Sequence, residues 1–256
     1  MIAAARMPHL LRPGGESALA AALRRAPLLA FDFDGTLAPT AARPDQARIS
    51  RSVSGKMRRL CARLPVAILT GRTVADVRRR LDFEPRYVAG NHGAEIEPAG
   101  AIGAAERLDG ARGLLRARAE VLARAGITLE DKGLSLALHY RLSRCPDEAR
   151  SVIRELLRPL HGDYRIFPGK QVENVVPWNA ADKTSAVHQL VRLCRADCAI
   201  FTGDDRNDEP VFASAPAGWL TIRVGREDPS SRADYFLDST AEVALLLDRM
   251  LAYLDA

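Results

Sequence analysis

No apolar run in this chain approaches the roughly 20 residues that a bilayer-spanning helix needs. A secretory leader is not expected either, because Ala18 to Leu23 is too short and too closely flanked by Arg12, Arg24 and Arg25. The cytosol is the expected location, with no membrane partner. Cysteine is scarce: Cys61, Cys145, Cys194 and Cys198 are spread widely and form no CxxC pair, which predicts free thiols in a reducing compartment. Lysine is scarcer still in proportion to charge, occurring only at positions 56, 132, 170 and 183, so the net charge of +5 comes almost wholly from arginine. Those arginines are scattered over helical segments without interleaved aromatics, a pattern of solvated faces rather than of nucleic-acid binding. A basic chain favours anionic substrates without specifying one. Internal repeats and low-complexity segments are lacking too.

What is present is the composition of a globular protein, 47% apolar and 27% charged, in 256 residues that suit one large or two small domains. Apolar periodicity predicts strand 28–33, a helix near 49–63 with Val53, Met57 and Leu60 at helical spacing, strand 65–70, helix 73–81 and a short strand 87–89. Later come helix 182–195, strand 198–202, strand 219–224 and helix 240–254. Short apolar strands alternating with helices imply a parallel sheet covered on both faces. From about 111 to 176 the pattern changes to helix, two strands, helix, two strands. Leu134, Leu136, Leu138 and Tyr140 alternate there with Ser135, Ala137, His139 and Arg141, as expected for an antiparallel sheet with one buried face. The expectation is an α/β core over 26–105 and 177–256, an inserted α+β domain over 106–176, and an N-terminal extension over 1–25 containing a helix around 16–25.

The chemistry gathers where predicted core strands end. Phe31-Asp32-Phe33-Asp34-Gly35-Thr36 closes the first strand, and Asp is depleted from strands and costly to bury unless paired or bound to a metal. Thr70-Gly71-Arg72 follows the second strand; a hydroxyl and backbone N–H groups before a helix can hold phosphate oxygens, although Thr-Gly is also ordinary loop chemistry. Asp182 is a natural helix cap, but Lys183 beside it opposes the helix dipole, a conflict that a nearby anion would relieve. Gly203-Asp204-Asp205-Arg206-Asn207-Asp208-Glu209 follows a further strand, and its clustered carboxylates suit Mg2+. Together these predict phosphoryl transfer to Asp32, with Mg2+, Lys183 and Thr70 offsetting phosphate charge. Asp34 would protonate the leaving oxygen and then deprotonate water, a role that calls for a carboxyl raised above the ordinary range of about 3.9 by a neighbouring carboxylate and partial burial.

These four elements, in this order, resemble the haloacid dehalogenase-like superfamily of phosphotransferases over about 27–103 and 177–254. The resemblance implies a Rossmann-like core with a parallel sheet and an inserted α+β cap domain. It makes Asp32 the nucleophile, Asp34 the acid/base, and Asp32, Thr70, Gly71 and Lys183 the phosphate site. The metal ligands it implies are Asp32, Asp34 through its carbonyl, and Asp204, with Asp208 in support. Three further stretches are similar to trehalose-6-phosphate phosphatases: Gly90-Asn91-His92-Gly93-Ala94-Glu95, Glu130-Asp131-Lys132-Gly133 running on to His139-Tyr140-Arg141, and Gly169-Lys170. Asn207 stands where that family usually has threonine. The likeness then spans nearly the whole chain after residue 25, and implies a cap that recognises the sugar, with Glu130, Lys132 and Lys170 as candidates. His92 in the glycine-flanked loop near the core strand ends, Arg141 on the polar face of a cap strand, and Asn174 are further candidate substrate contacts. Three of the four lysines thus sit in motif positions, where a compact ammonium can donate to sugar hydroxyls or phosphate.

One departure bears on the substrate. The family usually carries glutamate four residues after the Gly-Lys lysine, where this chain has Asn174, with Glu173 one residue early. Period-two alternation sends Glu173 to the face opposite Lys170 unless a bulge re-aims it. His9, His161 and His188 carry no partner motif and are read as structural or exposed; Trp178 and Trp219 are read as packing residues. The expected partner is a small sugar phosphate, and the expected state is a monomer. The alternatives are a phosphatase of the same fold for another sugar phosphate, such as a glycosyl-phosphoglycerate or sucrose phosphate, a phosphomutase, or a non-catalytic sugar-phosphate-binding protein.

Overall fold

Strand β1 (Leu28–Asp32) is buried along its whole length, as the unbroken apolar run from Leu28 to Phe31 requires of a strand covered on both faces. It lies at the centre of the sheet that organises the molecule. The computed structural model describes residues 7–41, 44–98, 100–101, 108–226 and 228–255. The chain divides into two compact units, 1–99 with 182–256 and 100–181. The 105/106 boundary expected from sequence lies outside the described residues.

In the first unit, β2 (Val66–Leu69) and β3 (Tyr87–Gly90) extend the sheet in parallel on one side of β1. The antiparallel β4 (Glu95–Glu97) follows, then the two-residue β5 (Gly100–Ala101), where the chain passes to the second unit. On the other side of β1 lie β10 (Ala199–Gly203), β11 (Leu220–Val224) and β12 (Tyr235–Leu237), all parallel. The strand order is β12-β11-β10-β1-β2-β3-β4-β5. Successive strands therefore step away from β1 in one direction first and in the other after the insertion. That reversal between β1 and β10 is a topological switch point, and the carboxyl ends of the strands beside it form a crevice suited to ligands. Asp32 ends β1 and Asp204 follows β10, so the topology alone brings two of the motifs together.

Three helices of this unit start at side-chain caps. Ser50 accepts a hydrogen bond from Val53 N at 3.2 Å and starts α2 (Arg51–Cys61), whose Val53, Met57 and Leu60 enter the core. Thr73 caps α3 (Val74–Arg78), which is shorter than the expected 73–81 because Arg79 to Leu81 turn away from the helix. Asp182 and Ser185 form a reciprocal capping box at α7 (Lys183–Cys194). Helix α8 (Glu209–Ser214) follows the acidic loop, and α9 (Thr240–Asp255) closes the chain. The expected N-terminal helix is α1 (Pro13–Leu23), with Leu19 and Leu23 in the same core cluster as α9. The extension is thus an integral part of the fold: Leu10 N donates to Phe236 O at 2.9 Å and Phe236 N to Pro8 O at 3.1 Å, pairing the edge strand β12. His9 Nε2 meets Glu242 at 3.0 Å while its Nδ1 accepts from Leu11 N at 3.1 Å, a structural role. Sequence periodicity did not reveal β4 or β12, each only three residues long.

The second unit has two short helices where one was expected, α4 (Asp109–Arg116) and α5 (Ala119–Arg124), then β6 (Thr128–Asp131), β7 (Leu136–His139), α6 (Pro146–Leu157), β8 (Tyr164–Gly169) and β9 (Val172–Pro177). Its antiparallel sheet runs β6-β7-β9-β8. Leu136, Leu138, Tyr140 and Val175 pack with Ile153 and Leu157 of α6 and Leu115 of α4, so helices cover one face, as the alternation required. Trp178, expected to pack, is instead 65% exposed beyond the end of β9. Trp219 does pack, tilted against His188 with ring centroids 4.8 Å apart. All four cysteines are free.

Candidate active site

Lys183 is the first residue of α7 and is buried with its ammonium between two carboxylates, 2.6 Å from Asp32 Oδ1 and 2.7 Å from Asp208 Oδ1. The anion that its place at a helix N-terminus called for is therefore present in duplicate. Burial alone would lower its proton affinity, but Asp208 and Asp32 reverse that and hold it firmly protonated. Asp32 is pushed the other way. Burial raises its carboxyl well above the usual range, Lys183 opposes this, and Asp208 and Asp204 add to it.

Asp208 braces the acidic loop. Its Oδ2 accepts from Asp204 N and Asp205 N, both at 3.0 Å, while Oδ1 holds the lysine. Most of its acceptor capacity is taken, which suits support of the site better than direct ligation. Gly35, at φ +89°, brings the turn after β1 so close that a Cβ there would lie 2.0 Å from Asp204 Oδ2. Thr36 Oγ1, buried, approaches Asp204 Oδ1 at 3.4 Å. The Asp-Gly-Thr turn is thus fitted around Asp204.

The side chains of Asp32, Asp204 and Asp208 each offer an oxygen within 4.8 Å of the others, and all three are buried. When ionised they set three negative charges against one ammonium. A hard divalent cation with oxygen ligands answers both the donor set and the charge, so the residues fit Mg2+.

On the β2 side, Thr70 is buried at the strand end and its Oγ1 accepts from Arg72 N at 3.1 Å. Gly71 follows because a Cβ there would meet the His92 ring at 2.5 Å. His92 itself is buried, at φ +59°, and donates its backbone N–H to Thr70 O at 2.9 Å. The loop after β3 therefore packs onto the Thr70-Gly71 turn, and Glu95 ties it to α3 by accepting from Val74 N and Asn91 Nδ2, both at 3.1 Å.

Asp34 meets an environment different from the one expected. Its side chain is 41% exposed, and its close partner is a guanidinium: Arg72 donates from Nε to Oδ2 and from Nη2 to Oδ1, each at 2.7 Å. The sequence motifs give Arg72 no role of its own. The only signal was its place directly after Thr70-Gly71.

The remaining candidates belong to the second unit. Register places Glu130, Ala137, Asn174 and Phe167 in one row across the sheet, on the face away from α6. Glu130 Oε2 lies 2.8 Å from His139 Nε2 and 3.7 Å from Lys132 Nζ. Arg141 Nη2 donates to Lys170 O at 3.0 Å. Lys170 sits in the two-residue turn with Gln171 between β8 and β9 rather than on a strand, so the alternation argument from Lys170 to Asn174 does not apply. Glu173 does face the helical side, opposite Leu138 in register and with its Oε1 3.6 Å from Arg150 Nε. Burial raises its carboxyl, against the opposing charges of Arg150 and Arg154.

The trehalose-phosphatase family model matches residues 30–240. A trehalose-phosphate phosphatase of Mycolicibacterium paratuberculosis is 32% identical over 94% of this chain and 66% of its own length. The chain thus spans just under two thirds of that relative. Among solved structures, the C-terminal domain of a trehalose-6-phosphate phosphatase from C. albicans superposes with a TM-score of 0.82 at 19% identity, covering 98% of this chain and 99% of that one. A trehalose-6-phosphate phosphatase related protein gives 0.73 at 23% identity over 90% and 100%. These structural likenesses establish the fold, an α/β core with an inserted α+β domain. The match over 30–240 establishes the family: this chain is a member of the trehalose-phosphatases.

Proposed function

We propose that the protein hydrolyses trehalose 6-phosphate to trehalose and phosphate, with Mg2+ and through an aspartyl-phosphate on Asp32. The observation that carries this reading is the buried Asp32–Lys183–Asp208 array, at 2.6 and 2.7 Å, beside Asp204 at the sheet's switch point. A carboxylate held against an ammonium at a strand end is a nucleophile placed where phosphate charge is offset on arrival.

In the first step an Asp32 oxygen forms a bond to phosphorus, and the phosphorus–sugar oxygen bond breaks. Asp34 gives its proton to the departing oxygen. In the second step Asp34 takes a proton from water, whose oxygen bonds to phosphorus as the Asp32–phosphorus bond breaks. Lys183 and the Thr70-Gly71 turn hold phosphate oxygens throughout. Mg2+, held by Asp32, Asp204 and the carbonyl of Asp34, would supply further neutralisation of phosphate charge. Sugar recognition falls to His92 and to Glu130, Lys132, Arg141, Lys170 and Asn174 of the second unit, and the protein acts as a monomer in the cytosol.

One observation favours a second reading. Asn174, where the family usually has glutamate, keeps a hydrogen-bonding amide but lacks the charge-assisted acceptor, which suits another sugar phosphate. Phosphate release from a panel of sugar phosphates with Mg2+, then with EDTA, tests both. Preference for trehalose 6-phosphate, abolished by EDTA and restored by Mg2+, is expected. Preference for another member would move the substrate, and metal-independent turnover would overturn the role given to the acidic cluster.

A further inference from the structure

The fork between Arg72 and Asp34 has a geometry that fixed charge alone does not need. Both Asp34 oxygens are engaged at 2.7 Å, through two different nitrogens of one planar group. The third nitrogen, Nη1, donates to Asp76 at 2.8 Å, and Asp76 is held in turn by Arg80 through Nη2 at 3.0 Å and Nε at 3.1 Å. The Arg72 guanidinium carbon also lies 5.5 Å from the centroid of the Phe33 ring, and the side chain is only 11% exposed. At its backbone, Arg72 N donates to Thr70 Oγ1 and Arg72 O accepts from Asn91 N at 2.7 Å. A well-anchored arginine thus grips a much more exposed aspartate.

We infer that Arg72 is the positioning residue of Asp34, and that Asp76 holds Arg72 to that task. The inference rests on the phosphatase reading above. Asp34 is a short side chain in the turn after β1, 41% exposed on one side of the site. A proton can be delivered to a leaving oxygen only from within hydrogen-bond reach and along a lone-pair direction. A bidentate fork fixes the plane of a carboxyl group as well as its place, and each oxygen keeps a lone pair outside the fork for the travelling proton. Lysine, a point charge on a flexible stem, could supply the charge but not the plane. The same lock serves both halves of the reaction, since the group that releases a proton to the sugar oxygen must then accept one from water at nearly the same spot.

The test separates positioning of an acid from anchoring of phosphate. An alkyl oxygen needs a proton as it leaves, whereas the oxygen of 4-nitrophenyl phosphate departs as a stable phenolate. kcat/KM reports only the steps through transfer of phosphorus to Asp32, so it isolates the acid's contribution. With the wild-type protein and Mg2+, kcat/KM is measured for trehalose 6-phosphate, or for the best member of the panel, and for 4-nitrophenyl phosphate. Arg72→Ala is expected to lose about a hundredfold on the sugar phosphate, within the range of a general acid's contribution, and little on the aryl phosphate. Combined with Asp34→Asn it should cost no more than Asp34→Asn alone, because both remove one function. Arg72→Lys and Asp76→Asn should give smaller losses with the same selectivity, and they carry the test if Arg72→Ala does not fold. Equal losses on both substrates, or losses that multiply in the double variant, would overturn the inference and leave the phosphatase reading standing. A folded wild-type protein that turns over neither substrate would overturn both.

Discussion

A lysine at the start of a helix and an aspartate at the end of a buried strand are each unfavourable where they stand, and each makes the other tolerable. Lys183 opposes the dipole of α7 and Asp32 is pushed toward its neutral form by burial, yet the two meet at 2.6 Å. Asp32→Asn keeps the shape and removes the proposed nucleophile; it should abolish phosphate release while the circular dichroism spectrum is unchanged, and retained turnover would remove Asp32 from that role. Gly35 makes a different kind of demand. Its positive φ and the approach of Asp204 leave no room for a methyl group. Gly35→Ala should displace the Asp204 carboxylate and lower kcat/KM by about a hundredfold, the scale of an ångström's misplacement, without unfolding the protein. A kcat/KM equal to wild type would show that the turn can yield without consequence.

Among the elements, α3 carries more than its length suggests. Thr73 caps it, Asp76 in its first turn accepts from Arg72 and Arg80, and the strand-to-helix turn before it holds Thr70 and Gly71. Burial works to raise the Asp76 carboxyl, but the hydrogen bonds and charges of Arg80 and Arg72 outweigh it and draw the group down to about 2. A carboxyl depressed in the folded state contributes stability that is present above its unfolded value and is lost as pH falls through the folded one. Asp76 therefore stabilises the protein at neutral pH, and that contribution disappears between about pH 4 and about pH 2. Asp76→Asn should cost about 1–2 kcal/mol at pH 7 after allowance for solvent screening, with the difference vanishing at the acid end. Urea denaturation of both proteins across pH 2–7 measures it; a difference independent of pH would show that packing rather than charge is at stake.

At the scale of the molecule, the sheet order assembles the site. Its parts lie at positions 32–36, 70–72, 183 and 204–208, and they converge because β1, β2 and β10 are neighbours with their carboxyl ends on one side. A cation bound only by that assembled cluster would stabilise the native state by mass action, about 2.7 kcal/mol at a hundred times its Kd. Mg2+ should accordingly raise the melting temperature of the wild-type protein by roughly 5–10 °C. Asp204→Asn should lose that rise, and an equal rise in the variant would place Mg2+ elsewhere.

Local chemistry and periodicity made part of this protein legible in its residues alone. Alternating short strands and helices implied the α/β core, the period of two from Leu134 to Arg141 implied a sheet covered on one face, and the carboxylates at strand ends were conspicuous because such groups are costly to bury without a partner. The rest depends on contacts between segments far apart in the chain. Strands β4 and β12 are too short to leave a periodic signal, and the pairing of residues 8–10 with β12 joins segments more than 200 residues apart. Trp178 reads as a packing residue because tryptophan usually is one, and only the end of β9 leaves it exposed. Lys170 reads as a strand residue until the hairpin turn claims it. The partner of Asp34 is set by the fold alone: a side chain's electrostatic neighbour is fixed by which strand lies alongside, and β2 delivers Arg72 there from 38 residues away.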